Sequence, residues 1–341
     1  MGDCCGILTG RPARPPANHQ PSTTAPMTEK VSRRTMLACG AGAAAALALP
    51  HPAHAGVDTT AGEPFRYCLN SGTIRGQKLG IVGEIEVAAQ AGYSGIEPWV
   101  GDIQNYVEAG GSLSDLRKRL DDLGLTVESA IGFPAWVAED ERQRARGLEQ
   151  MRREMDLIAA LGGKRIAAPP AGAPREGGVP LMAITERYRA VLELGRQTGV
   201  VPQLETWGPS PILSRLGQAA FVVAEADDAD ACLLLDVYHI YKSGSGFLGL
   251  RQLNGAAMRV FHMNDYPADP PRETIGDADR IMPGDGIAPM RQILRDLYET
   301  GFRGALSLEL FNRTYWEQDP LEVARLGLAK MQEAVAAALE S

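Results

Sequence analysis

Cys232-Leu233-Leu234-Leu235-Asp236-Val237-Tyr238-His239 is an apolar run that stops on a carboxylate. An ionisable side chain in that position is costly to bury unless it is paired or bound to a metal. The second half of the chain repeats the pattern three times, in Gln203-Leu204-Glu205, Phe261-His262 and Leu308-Glu309. Short apolar runs ending on acidic or imidazole groups are expected of barrel strands whose C-terminal ends carry the chemistry.

Working outward from these runs, short apolar segments alternate with longer segments of helical period from Phe65 onward, the mark of βα units and a parallel sheet. The expected strands are 66–70, 95–99, 126–131, 165–168, 201–205, 232–237, 259–263 and 305–310. Amphipathic stretches lie between them, among them 116–123, 148–161, 181–198, 287–300 and 320–339. Several end on a glycine stop, as in Ala91-Gly92-Tyr93, Leu123-Gly124-Leu125, Leu161-Gly162-Gly163 and Thr300-Gly301-Phe302. Eight strands predict an α/β fold of the (β/α)8 TIM-barrel class, a single domain over residues 62–341. An open doubly wound sheet is the alternative, but it calls for a glycine-rich phosphate loop after the first strand. Asn70-Ser71-Gly72-Thr73 is not one.

The N-terminus has a different composition. Residues 1–26 are rich in Pro, Arg, Ala and Thr, and Ser32-Arg33-Arg34-Thr35-Met36-Leu37 then precedes an apolar run from Ala38 to Leu49. Paired arginines, a short apolar core and Ala53-His54-Ala55 as a cleavage site read as a twin-arginine signal peptide over residues 1–55. The apolar run falls short of the roughly 20 residues that span a bilayer, so no stable membrane anchor is expected. Met27 stands at a suitable distance for an alternative start, leaving residues 1–26 as a misassigned leader. The expected destination is the periplasm.

The chain of 341 residues has 45% hydrophobic and 22% charged residues and a net charge of −8. Cleavage after Ala55 would remove five basic residues (Arg11, Arg14, Lys30, Arg33, Arg34) and two acidic ones (Asp3, Glu29), bringing the net charge to −11. That balance argues against a nucleic-acid partner, whose phosphates are bound mainly by lysine and arginine. Cys68 and Cys232, each inside an apolar run, read as buried thiols. A homo-oligomer is left open.

Taken singly, a strand-end carboxylate caps the next helix or pairs with an arginine. Four ligand-type groups at the ends of four consecutive strands change that reading. Glu205, Asp236, His262 and Glu309 form a hard, oxygen-rich set suited to one Mn²⁺ or Mg²⁺, with Co²⁺ or Zn²⁺ also accommodated. A cation chelated by neighbouring carbonyl and hydroxyl oxygens polarises the carbonyl and lowers the barrier to removing the adjacent C–H proton. Glutamates on the fifth and eighth strands can flank a substrate from two sides, as inversion at carbon requires.

Four strings now carry a resemblance: Leu233-Leu234-Leu235-Asp236-Val237-Tyr238-His239, Phe261-His262-Met263-Asn264-Asp265-Tyr266, the stretch from Asp277 through Arg280 and Pro283 to Gly286, and Leu306-Ser307-Leu308-Glu309-Leu310-Phe311. From Phe65 to the C-terminus the chain resembles the xylose-isomerase-like sugar isomerase/epimerase superfamily. Within it, the chain is most similar to 2-keto-myo-inositol (inosose) isomerases, with ketose 3-epimerases as cousins. The resemblance implies Glu205, Asp236, His262 and Glu309 as metal ligands, and Glu205 and Glu309 also as the acid/base pair. It implies His239 and Arg280 as partners of substrate oxygens and Glu97 as a further pocket residue. Trp207 is a candidate wall for a sugar face, and Trp99 is expected as rim packing. The substrate implied is a small sugar or polyol ketone.

A zinc protease would need a His-Glu-x-x-His string, which is absent, and without a Gly-x-Ser-x-Gly elbow a serine hydrolase has little support. After the leader only His239 and His262 remain, too few for a three-zinc nuclease centre. A lyase acting through the same enediolate, and a secreted sugar-binding barrel without turnover, stand as alternatives. The long segment 266–286, rich in Pro, Asp and Gly, is expected to fold over the pocket and bring Arg280 in.

Overall fold

The computed structural model describes residues 63–340, so the expected leader lies outside the described residues. Eight strands form one parallel sheet: β1 (Arg66–Asn70), β2 (Gly95–Glu97), β3 (Thr126–Val127), β4 (Arg165–Ala168), β5 (Val201–Glu205), β6 (Cys232–Asp236), β7 (Met258–Met263) and β8 (Ala305–Leu308). The hydrogen-bonded order is β3-β2-β1-β8-β7-β6-β5-β4. The seam between β3 and β4 is closed just beyond β3, where the Ala167 N–H donates to the Ala130 carbonyl at 2.8 Å. The described residues form a single-domain TIM barrel.

Strand alternation sorts the side chains. Leu233 and Leu235 of β6, Phe261 and Met263 of β7, and Leu306 and Leu308 of β8 join the main apolar core. The intervening residues Leu234, Val260 and Ala305, with Cys68 and Ala167, form a smaller cluster inside the barrel. One step further along each strand the inward positions are Asn70, Glu97, Glu205, Asp236, His262 and Ser307, all buried. A period of two therefore carries each strand from an apolar inner layer to a polar one at its C-terminal end.

Four strands end earlier than the apolar pattern predicts, β6 by one residue and β2, β3 and β8 by two or more, and in these three another donor or acceptor takes over the ladder. Pro98 follows β2 and has no N–H to continue it, and the Trp99 N–H turns to Ser71 Oγ at 3.2 Å. After β8, the Thr73 hydroxyl donates to the Leu308 carbonyl at 2.8 Å and accepts from the Leu310 N–H at 3.0 Å. After β3, residues 128–131 run between β2 and β4, with Ile131 N–H donating to the Pro98 carbonyl at 2.9 Å.

The helices Leu181–Thr198 and Pro320–Leu339 have the predicted bounds. Gly92 closes the helix Gly80–Ala91 at φ 99°, a left-handed conformation that disfavours any side chain. Gly327 allows Pro320–Leu339 to lie against β8, because a Cβ there would fall 2.1 Å from Leu308 Cδ2. Among the described residues no helix is long and apolar enough to cross a membrane.

Glu84, buried on the helix Gly80–Ala91, leaves Oε2 without a hydrogen-bond partner. Burial, and then Asp102, push its carboxyl up to about 8, against the opposing effects of Ser71 and Arg75. Below the unfolded value near 4.5 both states hold the proton. As pH rises from there to about 8 only the unfolded chain releases it, and stability is lost. Glu84→Gln removes that loss, so thermal unfolding at pH 8 is expected to show a gain on the order of 2 kcal/mol that vanishes at pH 4.

Candidate functional site

The polar layer is built by register. Asp236 on β6 stands beside His262 on β7, and His262 beside Ser307 on β8. Glu309 follows β8 directly, its N–H bound to the Met263 carbonyl at 3.1 Å. Asp236 both caps the following helix Val237–Lys242, accepting the His239 N–H at Oδ1 (2.7 Å), and turns Oδ2 into the site. The Asp-x-x-His spacing therefore puts His239 on the first turn of that helix, beside the same cavity.

His262 is buried between two kinds of neighbour. Its Nε2 lies 2.9 Å from Glu97 Oε2, which also accepts from Ser307 Oγ (2.7 Å) and Asn70 Nδ2 (2.9 Å). Its Nδ1 lies 3.3 Å from Glu309 Oε2 and 3.7 Å from Asp236 Oδ2, yet it has no aligned hydrogen-bond partner. Ligand-type atoms of Asp236, His262 and Glu309 all fall within 4.8 Å of one another. Burial alone would lower the His262 value, but Glu309 and Glu97 raise it well above the usual imidazole range. Burial alone would raise Glu97, but His262, Ser307 and Asn70 hold it below the carboxylate range.

Arg280 reaches this cluster from the long loop. Its Nη1 donates to Asp236 Oδ2 (3.0 Å) and Glu309 Oε2 (2.8 Å), and its Nη2 to Asp277 Oδ1 (2.6 Å). The guanidinium lies over the rings of Tyr238 and Phe311, at 4.4 and 5.0 Å. Against burial, which acts upward, Arg280, His239 and His262 lower the Asp236 carboxyl. Glu205 is raised to about 8 by burial, with Glu309, Asp236 and Glu97 adding to the shift and His262 opposing it. Asp236, Glu309 and Asp277 thus share the buried Arg280 guanidinium, while Glu97 and Glu309 flank the His262 imidazole.

A divalent cation fits this donor set. The unpartnered Nδ1 faces two carboxylates, while Glu97 fixes the opposite nitrogen, the arrangement in which a ligating imidazole is oriented by a carboxylate behind it. Glu205 lines the same cavity but lies outside the close group of three.

His239 is lowered to about 4, chiefly by burial and against the influence of Asp236, and so is neutral near pH 7. The Gly208 N–H lies 3.2 Å from its Nδ1, on the side of the ring away from Nε2. Arg280 Nη2 stands 3.2 Å from that Nε2. Arg280 and His239 thus meet at the cavity wall, where their polar edges suit substrate oxygens.

Glu205, His239, Arg280, Glu309 and Trp207 line one cavity of about 540 Å³. Glu97 does not line it, and its expected place as a pocket residue is corrected. Register with Asn70 turns it inward, and its carboxylate is taken up by His262 and Ser307. Trp99 packs at the rim, its indole N–H on Asn70 Oδ1 at 3.2 Å, and lines the cavity as well.

Three residues were not read as site residues. Asn70 also donates to Glu309 Oε1 at 3.2 Å, and Asn264 Nδ2 donates to Asp236 Oδ2 at 2.9 Å. Asp265 accepts four backbone N–H groups, from Tyr266 (2.7 Å), Ala288 (3.0 Å), Gly284 (3.0 Å) and Gly286 (3.1 Å). The strand-end rule that singled out Glu205 applies equally to Asn70, and Asn264 and Asp265 directly follow His262-Met263. Asp265 pins both ends of the loop that carries Arg280. Asp265→Ala leaves those four donors without the carboxylate, and a loss on the order of 3 kcal/mol in thermal unfolding is expected, with faster proteolysis within residues 266–286.

Among known proteins, the inosose isomerase of Halalkalibacterium halodurans is 32% identical over 126 residues, 37% of this chain and 44% of that protein. The 3-dehydroshikimate dehydratase of Pseudomonas aeruginosa is 28% identical over 236 residues, 67% of this chain and 36% of that protein. These alignments span less than half the length of either relative. A crystal structure described as the IolI protein with a bound zinc atom superposes with a TM-score of 0.74 at 23% identity, covering 81% of this chain and all of that one. The profile of the xylose isomerase-like TIM barrel matches residues 85–334, which include β2 to β8, and the chain belongs to that family.

Proposed function

We propose that this chain is a divalent-metal-dependent isomerase or epimerase that moves a proton at the carbon beside the carbonyl of an inosose, ketose or keto-glycoside. The observation that carries the reading is His262 Nδ1, buried without a hydrogen-bond partner and facing Asp236 and Glu309. Asp236, His262 and Glu309, joined by Glu205, would hold the cation, Mn²⁺ first among the candidates. When bound, such a cation supplies Lewis-acid polarisation of a carbonyl oxygen.

The protein's own groups supply the rest. Glu205 and Glu309 end strands separated by β6 and β7, so they flank the Asp236–His262 pair from two sides. One takes the carbon-bound proton and the other returns it, to the opposite face for epimerisation or to the neighbouring position for isomerisation. His239 and Arg280 hold substrate oxygens, and Arg280 pairs with Asp236 and Glu309 at the inner end of the pocket. The relative named as a dehydratase supports a lyase as the second reading, with loss of a β-hydroxyl or aglycone after the same deprotonation.

Residues 1–55 are proposed as a twin-arginine leader that exports the chain to the periplasm, a reading that N-terminal sequencing of precursor and mature protein tests. For the reaction, the test is proton NMR in D₂O with Mn²⁺ and inososes, ketohexoses and 3-keto-glycosides. Deuterium uptake at unchanged composition supports the isomerase or epimerase, and release of water or aglycone supports the lyase. Absence of exchange on every ketone removes both.

A further inference from the structure

The cavity is larger than one six-carbon polyol ring fills: about 540 Å³, within the range that holds drug-sized ligands. Its inner end is the polar layer. Its outer end is different in kind, walled by Trp99, Phe133, Trp207 and Trp316 with Arg75 and Arg313. Phe133 is 42% exposed although it is a large apolar side chain, and it bridges Trp99 (5.1 Å between ring centres) and Trp207 (5.9 Å). The result is a continuous aromatic wall at the mouth.

The chemistry of that wall is selective. The indole N–H groups of Trp99 and Trp316 are already committed to Asn70 Oδ1 and the Gly72 carbonyl, each at 3.2 Å, so these rings offer faces and edges without donors. Asp277, the acid among the lining residues of the loop, is engaged by Arg280. A second sugar ring would find guanidinium donors but no acceptor among the side chains of this wall. A flat π system would find stacking partners, and an anionic group on it would find guanidinium groups. Arg75 already lies 4.0 Å over the Trp99 ring, and Arg313 makes no ion pair among the described residues.

We infer that the outer half of the cavity is a subsite for a flat, acidic aromatic aglycone, which makes the substrate an aryl keto-glycoside and not a free ketose. This rests on the proposed reading of the inner site, where the sugar ring would sit.

Binding tests the subsite without turnover. The full chain with Mn²⁺ is titrated, by tryptophan fluorescence, with methyl, phenyl and 4-carboxyphenyl β-D-glucopyranosides and with cellobiose. The 4-carboxyphenyl glucoside is expected to bind about tenfold more tightly than the methyl glucoside. Phe133→Ala is expected to remove most of the advantage of phenyl over methyl, and Arg313→Ala that of carboxyphenyl over phenyl. Equal affinities across the set, tightest binding of cellobiose, or preferences unchanged in both variants would overturn the subsite. Deuterium exchange on methyl 3-keto-glucoside, which leaves the outer half unused, tests the reaction separately.

Discussion

His262→Ala is expected to lose the bound divalent ion, and with it all measurable proton exchange. The imidazole is the nitrogen donor of the cluster, and Asp236 and Glu309 without it are left as two carboxylates bridged by Arg280. The substitution also strips Glu97 of its one cationic partner, leaving only Ser307 and Asn70, and a buried carboxylate left that way destabilises the barrel. Glu97→Gln separates the two effects. It retains an oxygen for Asn70 and Ser307 but no longer holds the Nε2 proton of His262 with a full charge, and metal affinity is expected to fall about 10- to 100-fold in a folded protein. Elemental analysis and metal titration of wild type and both variants check this. Equal metal content in wild type and His262→Ala would falsify the metal assignment.

Glu205→Gln and Glu309→Gln are expected to lower the exchange rate by about 10²- to 10⁴-fold each, the range for removing a positioned acid or base. Both replacements keep the shape and remove only the ability to carry the proton. Glu205 lies outside the close group formed by Asp236, His262 and Glu309, so its variant is the one expected to keep metal while losing rate. Glu309 accepts Arg280 and lies against His262, so its variant is expected to lose rate and some metal affinity together. Exchange measured on the same ketone decides, and full rate in either variant would remove that glutamate from the acid/base pair.

Much of the barrel is legible in the linear chain because strand and helix signals are local. The bounds of β1, β4 and β5 and of the helices Leu181–Thr198 and Pro320–Leu339 match the apolar pattern residue for residue. Where β2, β3 and β8 fall short, the cause is a partner distant in sequence, such as the Thr73 hydroxyl that takes over from β8 across 235 residues. The site divides along the same line. Asp236, His262 and Glu309 stand out as ionisable groups ending apolar runs, and they do cluster. Glu97 is the same kind of residue in the same kind of place, yet it serves His262 from behind.

The sequence by itself determined the eight-fold alternation, the inward phase of each strand and the set of polar groups at the strand ends, since a period of two is written into neighbouring residues. Only the tertiary structure decided which of those groups face the cavity and which support another side chain. That choice depends on the register between strands far apart in the chain, which sets Asn70 beside Glu97 and Asp236 beside His262. It depends equally on Arg280, carried in on a loop anchored by Asp265, because a buried carboxylate settles wherever a cation or a hydrogen-bond donor compensates its lost hydration.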